Sequence, residues 1–367
     1  MCIIFIAHQM HPKYPLIIAT NRDEFLDRPT EPMKLRPFAS AVEQTLEKNG
    51  IKYPCANTCN NDATHVFLRR SMKGIKYEPD ISMNRRRYSL AGKDLVGGGT
   101  WLGLDLIAKS EKNNAGTKPS LRWIALTNYR GKSYNEEHGK TSRGTLLLEF
   151  LGMKNSNSPV GRINKLLPSA ESFISDLKQT RGNKYNGFNL LAGDAEGIHY
   201  YGNQVDNHKR TYGGDSKFAT QKIPPNPLVP GIYGLSNALL DTPWPKVERG
   251  KKWLRDICEQ ATNNPSIVEN DKSLENVESE SVEAFHERLM QILQNQERPP
   301  DEELPDTGIG LESERYLSST FVPTGKLLGG EYGTRSSTTI VVDVCGRASV
   351  LERTWPTGID QWFHFEC

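Results

Sequence analysis

The chain opens on an apolar run, Ile3-Ile4-Phe5-Ile6-Ala7, and after a polar break a second one follows, Pro15-Leu16-Ile17-Ile18-Ala19-Thr20. Two runs rich in β-branched residues, separated by turn formers, predict a hairpin of core strands. The second run delivers Asn21-Arg22-Asp23-Glu24 to its end. Charges placed at the end of a buried strand need a reason, because a buried charge without partners is costly. Further strands are expected at 99–104 and 121–126, and a hairpin at 188–192 and 198–201 around Gly193-Asp194. A terminal hairpin is expected at 338–344 and 349–354, joined by 362–365. Apolar residues at helical spacing predict helices over 146–151, within 160–177, and through Val282, Phe285, Leu289, Ile292 and Leu293. Another is expected through Trp253, Leu254 and Ile257, with Thr242-Pro243 supplying its cap and first turn.

Between these elements lie polar stretches. Residues 29–94 are rich in Asn, Lys, Arg and Pro with little periodicity and read as a long irregular insertion, with shorter ones at 109–120 and 263–280. Strands at both ends with helices between them predict an α+β fold with antiparallel sheets. The expected organisation is a single domain over 1–367 with insertions near 29–95, 109–120 and 263–280.

Charge adds an exclusion. The 46 basic and 44 acidic residues nearly cancel, so the overall field gives no case for nucleic acid or an anionic membrane as principal partner. No run approaches the roughly 18 apolar residues of a membrane span, and the N-terminal run is too short, with no basic flank, for a secretory signal. The six cysteines are scattered, which is unlike a disulfide framework. A cytoplasmic protein is expected.

The candidate chemistry starts at Cys2. If Met1 is removed, this cysteine joins a thiol to an α-amine of reference pKa about 7.7 to 8.0, so one residue supplies both nucleophile and base. Taken alone, a cysteine ahead of Ile3-Ile4 reads better as core packing. Several polar residues follow apolar strands or sit in tight turns: Arg22 and Asp23, Asn128 in Leu126-Thr127-Asn128-Tyr129-Arg130, Asn237 in Gly234-Leu235-Ser236-Asn237, and Arg335 in Gly333-Thr334-Arg335-Ser336. Acyl transfer at a thiol needs donors aimed at an oxyanion and a cation that favours thiolate, and this set holds both residue types. Singly, each has an ordinary structural reading, Asn as turn former and Arg as surface pair.

Taken together, Cys2, Asn21-Arg22-Asp23-Glu24, Gly98-Gly99-Thr100-Trp101-Leu102-Gly103, Leu126-Thr127-Asn128-Tyr129, Tyr185-Asn186-Gly187-Phe188-Asn189-Leu190, Gly234-Leu235-Ser236-Asn237-Ala238, Leu304-Pro305-Asp306 and Tyr332-Gly333-Thr334-Arg335 resemble the NRDE family, transport and Golgi organisation protein 2 and its relatives. The resemblance implies haem trafficking, acyl-CoA or lipid handling, and a part in Golgi organisation and secretion, with cytoplasmic, Golgi-associated or mitochondrial locations and peripheral contact with membranes. More remotely the chain is similar to cysteine N-terminal-nucleophile amidases of the choloylglycine hydrolase type. That likeness implies a four-layer α-β-β-α sandwich, with Cys2 as nucleophile, Arg22 as its cationic neighbour, Asn128 and Asn237 around the oxyanion, and Arg335 as the late arginine. It departs in spacing: the amidase pattern sets Asp three residues after Arg, whereas Asp23 is adjacent and Glu24 follows.

Two readings follow. One is a carrier whose pocket beside Cys2 holds haem or an acyl-CoA, with Asn21, Arg22, Asp23, Glu24, Arg130, Arg143 and Arg335 as ligand-binding residues, the arginines pairing with propionates or phosphates. The rival is a Cys2-dependent amidase or thioesterase. An adaptor of the secretory pathway is a third class. No metal site is expected: Cys55, Cys59 and His65 lack zinc or haem-attachment spacing, and His8, Met10 and His11, soft ligands of which a haem could use one, read better as loop residues. Gly97-Gly98-Gly99-Thr100 lacks the lysine of a phosphate loop and reads as a close backbone approach.

Overall fold

The computed structural model describes residues 2–37, 64–72, 75–77, 80–83, 88–106, 121–131, 136–137, 140–153, 167–205, 224–263 and 280–365. Two antiparallel sheets carry the fold. The first runs β12 (Gly231–Leu235), β1 (Cys2–His8), β2 (Leu16–Phe25), β14 (Gly330–Val342), β15 (Ala348–Thr354), β16 (Ile359–Phe365), β4 (Thr64–Met72) and β5 (Ile75–Tyr77). β13 (Gly325–Leu327) pairs with β14, and β6 (Asp80–Met83) with β4. The second sheet runs β11 (Ile198–Gly202), β10 (Phe188–Gly193), β9 (Arg122–Asn128), β8 (Leu102–Leu106), β7 (Tyr88–Asp94) and β3 (Thr30–Pro37). Described helices are α1 (Gly144–Phe150), α2 (Ala170–Asp176), α3 (Pro245–Asn263), α4 (Val282–Leu293) and α5 (Leu311–Tyr316).

The continuous apolar character of β1 and β2 has a direct cause, because successive side chains alternate between faces and both faces are buried. Ile4, Ile6 and Ile18 join a core with Leu102, Leu104, Trp123 and Leu191 of the second sheet. Ile3, Phe5, Ala7 and Ile17 join another with Leu254 of α3 and Phe285 and Leu289 of α4. The second sheet repeats the device, with Ile124, Leu190 and Ala192 packed against Leu146 and Phe150 of α1 and Phe173 of α2. Each fully buried side chain of this kind contributes roughly 1.5 to 3 kcal/mol.

Helix α3 crosses the first sheet closely. A Cβ added at Gly250 would lie 2.1 Å from the Phe5 ring, so only glycine admits that contact. Gly99 has the expected close approach, since a Cβ there would lie 2.4 Å from the Gly144 carbonyl carbon at the start of α1. Ser281 caps α4 by accepting the Ala284 N–H at 3.2 Å, and Ser169 caps α2 through Ser172.

Three expectations are corrected. The stretch 29–94 is not wholly irregular: it contributes β3 and β7 to the second sheet and β4, β5 and β6 to the first. Pro32 and Pro37 hid β3, but it is an edge strand with a bulge between Glu31 and Lys34, where proline is tolerated. Helix α3 starts at Pro245, not at Thr242-Pro243. The Thr242 hydroxyl donates to the Leu239 carbonyl at 2.8 Å and so holds the preceding turn. The last hairpin begins at Gly330, eight residues before the apolar run, because the polar first half of β14 pairs with the polar end of β2. Residues 107–120 and 264–279, with Cys55 and Cys59, lie outside the described residues.

Candidate functional site

Strand register assembles the site. Cys2 on β1 lies opposite Arg22 on β2, and Arg22 lies opposite Ser336 on β14. Cross-strand partners share a face, and two residues along from Cys2 that face carries Ile4 of the inter-sheet core. Arg22 is 5 % exposed, and its guanidinium sits 4.4 Å over the Trp101 ring. Its Nη2 is 3.9 Å from Glu24 Oε2 and 3.8 Å from Asp94 Oδ2, while Arg28 Nε is 3.6 Å and 2.8 Å from the same two oxygens. Two cations therefore face two carboxylates. Burial alone would raise the Asp94 carboxyl, but the Gly97 and Val96 N–H groups and Arg28 overcome it and hold Asp94 below its usual range. Arg22 Nη1, Ser336 Oγ and Glu352 Oε1 are buried without a hydrogen-bond partner among the described residues. Glu352 Oε2 accepts the Met33 N–H at 2.7 Å, and burial pushes its carboxyl up to about 7 against the opposing pull of that N–H and of Arg22.

Asn21 and Asp23 point to the opposite face. Asn21 Nδ2 donates to the Leu293 and Thr320 carbonyls at 2.8 and 2.9 Å, and its Oδ1 accepts the Ser337 hydroxyl at 2.7 Å. Asp23 Oδ1 accepts the Thr334 hydroxyl at 2.7 Å, and the Tyr332 hydroxyl donates to the Asp23 carbonyl at 2.9 Å. Burial raises the Asp23 carboxyl, opposed by the field of Lys246 and the Thr334 hydrogen bond. Lys246, near the start of α3, is 3 % exposed and donates from Nζ to the Leu317 carbonyl at 2.8 Å. Burial pulls its pKa down to about 8, with Asp23, Glu314 and Cys2 opposing and Arg130 reinforcing the drop. The half-buried Cys2 thiol is itself pushed up by burial and then by the Asp23 charge, while Arg22 and the Asp23 N–H, which hydrogen-bonds the sulfur, pull it down.

The two asparagine turns close on the same end. Asn237 Nδ2 donates to the Asn128 carbonyl at 2.8 Å, the Arg130 N–H donates to the Asn237 carbonyl at 2.6 Å, and the Ser236 hydroxyl reaches the Cys2 carbonyl at 3.3 Å. The Asn128 side chain is exposed at the end of β9, and Arg130 Nη2 pairs with Glu314 at 3.0 Å. Arg335 lies in the field of Arg22, but its Nη1 donates to the Phe25, Leu26 and Arg28 carbonyls and so holds the turn after β2. Arg143 is bound to Glu136 and to the Gly187 carbonyl, which also accepts the Tyr129 N–H.

Register and turns thus bring Cys2, Arg22, Asp23, Asn128 and Asn237 together, with Arg143 on the Gly187 carbonyl beside the Asn128 turn. Lys246, Asp94, Trp101 and Glu352 stand around this candidate site, and the sequence did not single them out. Trp101 sits inside a quoted motif, and Lys246 follows Pro243-Trp244-Pro245 at a helix start, where a buried lysine has no pattern of its own. His11 Nδ1 accepts the Lys13 and Tyr14 N–H groups at 3.1 Å each, an intra-turn role. Among the described residues no helix is long and apolar enough to cross a membrane.

Comparison with known proteins agrees with the motifs. The family model for Transport and Golgi organisation 2 matches residues 1–44 and 77–357. The chain is 28% identical over 369 residues to the Transport and Golgi organization 2 homolog of Mus musculus, covering 96% of this chain and 93% of that protein. It is 29% identical over 370 residues to the homolog of Homo sapiens, with the same coverage. On a match that spans most of its length, the chain belongs to the Transport and Golgi organisation 2 family.

Proposed function

We propose that the protein binds and moves acyl compounds, with an acyl thioester such as an acyl-CoA seated at the Cys2 and Arg22 end of the sheets, as its part in the transport and Golgi organisation its relatives are named for. The observation that carries this reading is the cross-strand placement of Cys2 against Arg22, with the Asp23 N–H on the sulfur. Donors at that point suit a carbonyl. The packing of helices against the outer faces of two face-sharing sheets supports a single α-β-β-α domain of N-terminal-nucleophile type. A porphyrin diacid fits less well, because Arg130, Arg143 and Arg335 each already face protein carboxylates or carbonyls, which leaves Arg22 alone for two propionates.

Carriage without turnover is favoured by the thiol, which burial holds in its protonated form. Titration with palmitoyl-CoA is expected to saturate without release of free coenzyme thiol, and Arg22→Ala to weaken it about tenfold, roughly 1.4 kcal/mol. Equal affinity in wild type and variant would remove Arg22 from the site, and tighter binding of haem than of palmitoyl-CoA would reverse the ligand choice.

A hydrolase is the second reading, favoured by the Asp23 N–H on sulfur and by an amine of pKa about 8 within the field of Cys2. In that reading the thiol proton passes to an amine, the thiolate adds to the acyl carbonyl and the coenzyme thiol leaves, after which water releases the acid. If the α-amine of Cys2 is the base, an intact mass retaining Met1 or an N-acetyl group rules that mechanism out.

A further inference from the structure

The N-terminal end of α3 holds two buried donors, the Lys246 ammonium, which lies in the field of Asp23, and the Trp244 indole. Lys246 carries three ammonium N–H donors, and the Leu317 carbonyl takes one of them. The carboxylates of Asp23 and Glu314 act on it through their fields. The Trp244 indole Nε1, in a residue 2 % exposed, has no hydrogen-bond partner among the described residues. Both residues line one cavity of about 10 Å³, completed by Arg130, Glu314, Leu304 and Pro305. That interior takes one oxygen-sized atom. A buried ammonium with one neutral acceptor and a buried indole N–H with none each cost folding free energy unless something accepts from them.

The field there is also defined. Arg130 and Glu314 cancel at 3.0 Å, and Glu314 Oε1 is further occupied by the Thr307 N–H and hydroxyl. Lys246 faces the field of Asp23, so the positive end of a 19-residue helix sets the local bias. The Arg130 guanidinium lies 5.4 Å over the Trp244 ring.

We infer that this cavity is a carboxylate-binding site, in which Lys246 Nζ and Trp244 Nε1 donate to one oxygen of an organic monoacid whose apolar part lies along Leu304 and Pro305. The inference does not depend on what Cys2 does. A bound carboxylate would also hold the proton on Lys246, offsetting the downward pull of burial.

The test is thermal unfolding of the full chain with sodium acetate, sodium chloride or acetamide, salts being matched in ionic strength. Acetate is expected to raise the midpoint saturably, with chloride and the neutral isostere acetamide giving no saturable rise. Lys246→Met is expected to abolish the acetate-specific rise, and Trp244→Phe, which keeps the ring and removes the donor, to weaken apparent affinity about tenfold. The site is overturned if chloride or acetamide matches acetate, if both variants respond as wild type does, or if acetate gives no rise up to about 0.5 M. Should Lys246→Met fail to fold, Trp244→Phe alone decides, since full retention of the acetate response in it removes the proposed donor.

Discussion

The two faces of β2 handle polar residues in opposite ways. On the helix-side face Asn21 has every polar atom matched, to Leu293, Thr320 and Ser337, and ties β2 to the end of α4, to the loop before β13 and to β14. On the sheet-side face Arg22 is just as buried but keeps Nη1 unmatched, next to Ser336 and Glu352 with unmatched oxygens of their own. Burial is common to both, and satisfaction is what separates them. A polar group buried and saturated is a fastener, whereas one buried and unsaturated, at the end of a strand beside a thiol, is a candidate to meet a ligand.

The sharpest way to break this contrast is at Asn21. Asn21→Ala strands two carbonyls and a hydroxyl in the interior, and urea unfolding is expected to show a loss of about 4 kcal/mol. A loss under about 1 kcal/mol would mean that the saturated face is not the fastener.

Glu352 comes next. Its carboxyl ionises near 4.5 in the unfolded chain and near about 7 when folded, so between those values the folded form binds more protons. Its contribution is therefore fully present below pH 4.5 and is lost as pH rises through 7, a decline of roughly 3 kcal/mol at most. Glu352→Gln should flatten that part of the stability profile in melts taken from pH 4.5 to 8. An unchanged slope would place the titration elsewhere.

Arg22→Met should cost about 1 to 2 kcal/mol through loss of the contact over Trp101 and of the charge facing Glu24 and Asp94. Its signature is that Asp94, left with Arg28, titrates higher than in wild type, readable by carboxyl NMR. Arg143→Ala, at a pair whose acid is half exposed, should change stability by under about 0.5 kcal/mol and leave palmitoyl-CoA affinity unchanged. A tenfold loss of affinity there would place Arg143 among the ligand-binding residues.

Much of this was legible in sequence where period and burial agree. The first hairpin, the 188–201 hairpin, the helix from Val282 and the last strands all follow from apolar spacing. Cys2, Arg22, Asp23, Asn128 and Asn237 were found because each stands at the end of such a run. What period could not show was the face each neighbour takes relative to the core. Asp23 and Glu24 are adjacent in the chain, yet one joins Thr334 and the field of Lys246 while the other joins Arg22 and Arg28. Nor could it show β3, whose prolines suit an edge strand, or Glu352, a lone acid in an alternating strand whose partner N–H comes from Met33 on the other sheet. Arg335 had the right position for a site but a guanidinium spent on three carbonyls of a turn, information that lies only in coordinates.

The glycine that lets Phe5 meet α3 sets a distance between two chemistries. Phe5 is three residues from Cys2, and Gly250 is one helical turn from Lys246, so a single ring-to-backbone contact acts as the ruler between sulfur and amine. A methyl group at position 250 would wedge the helix off the strand and slide that amine out of register with Asp23, well before any residue of the cleft itself was altered.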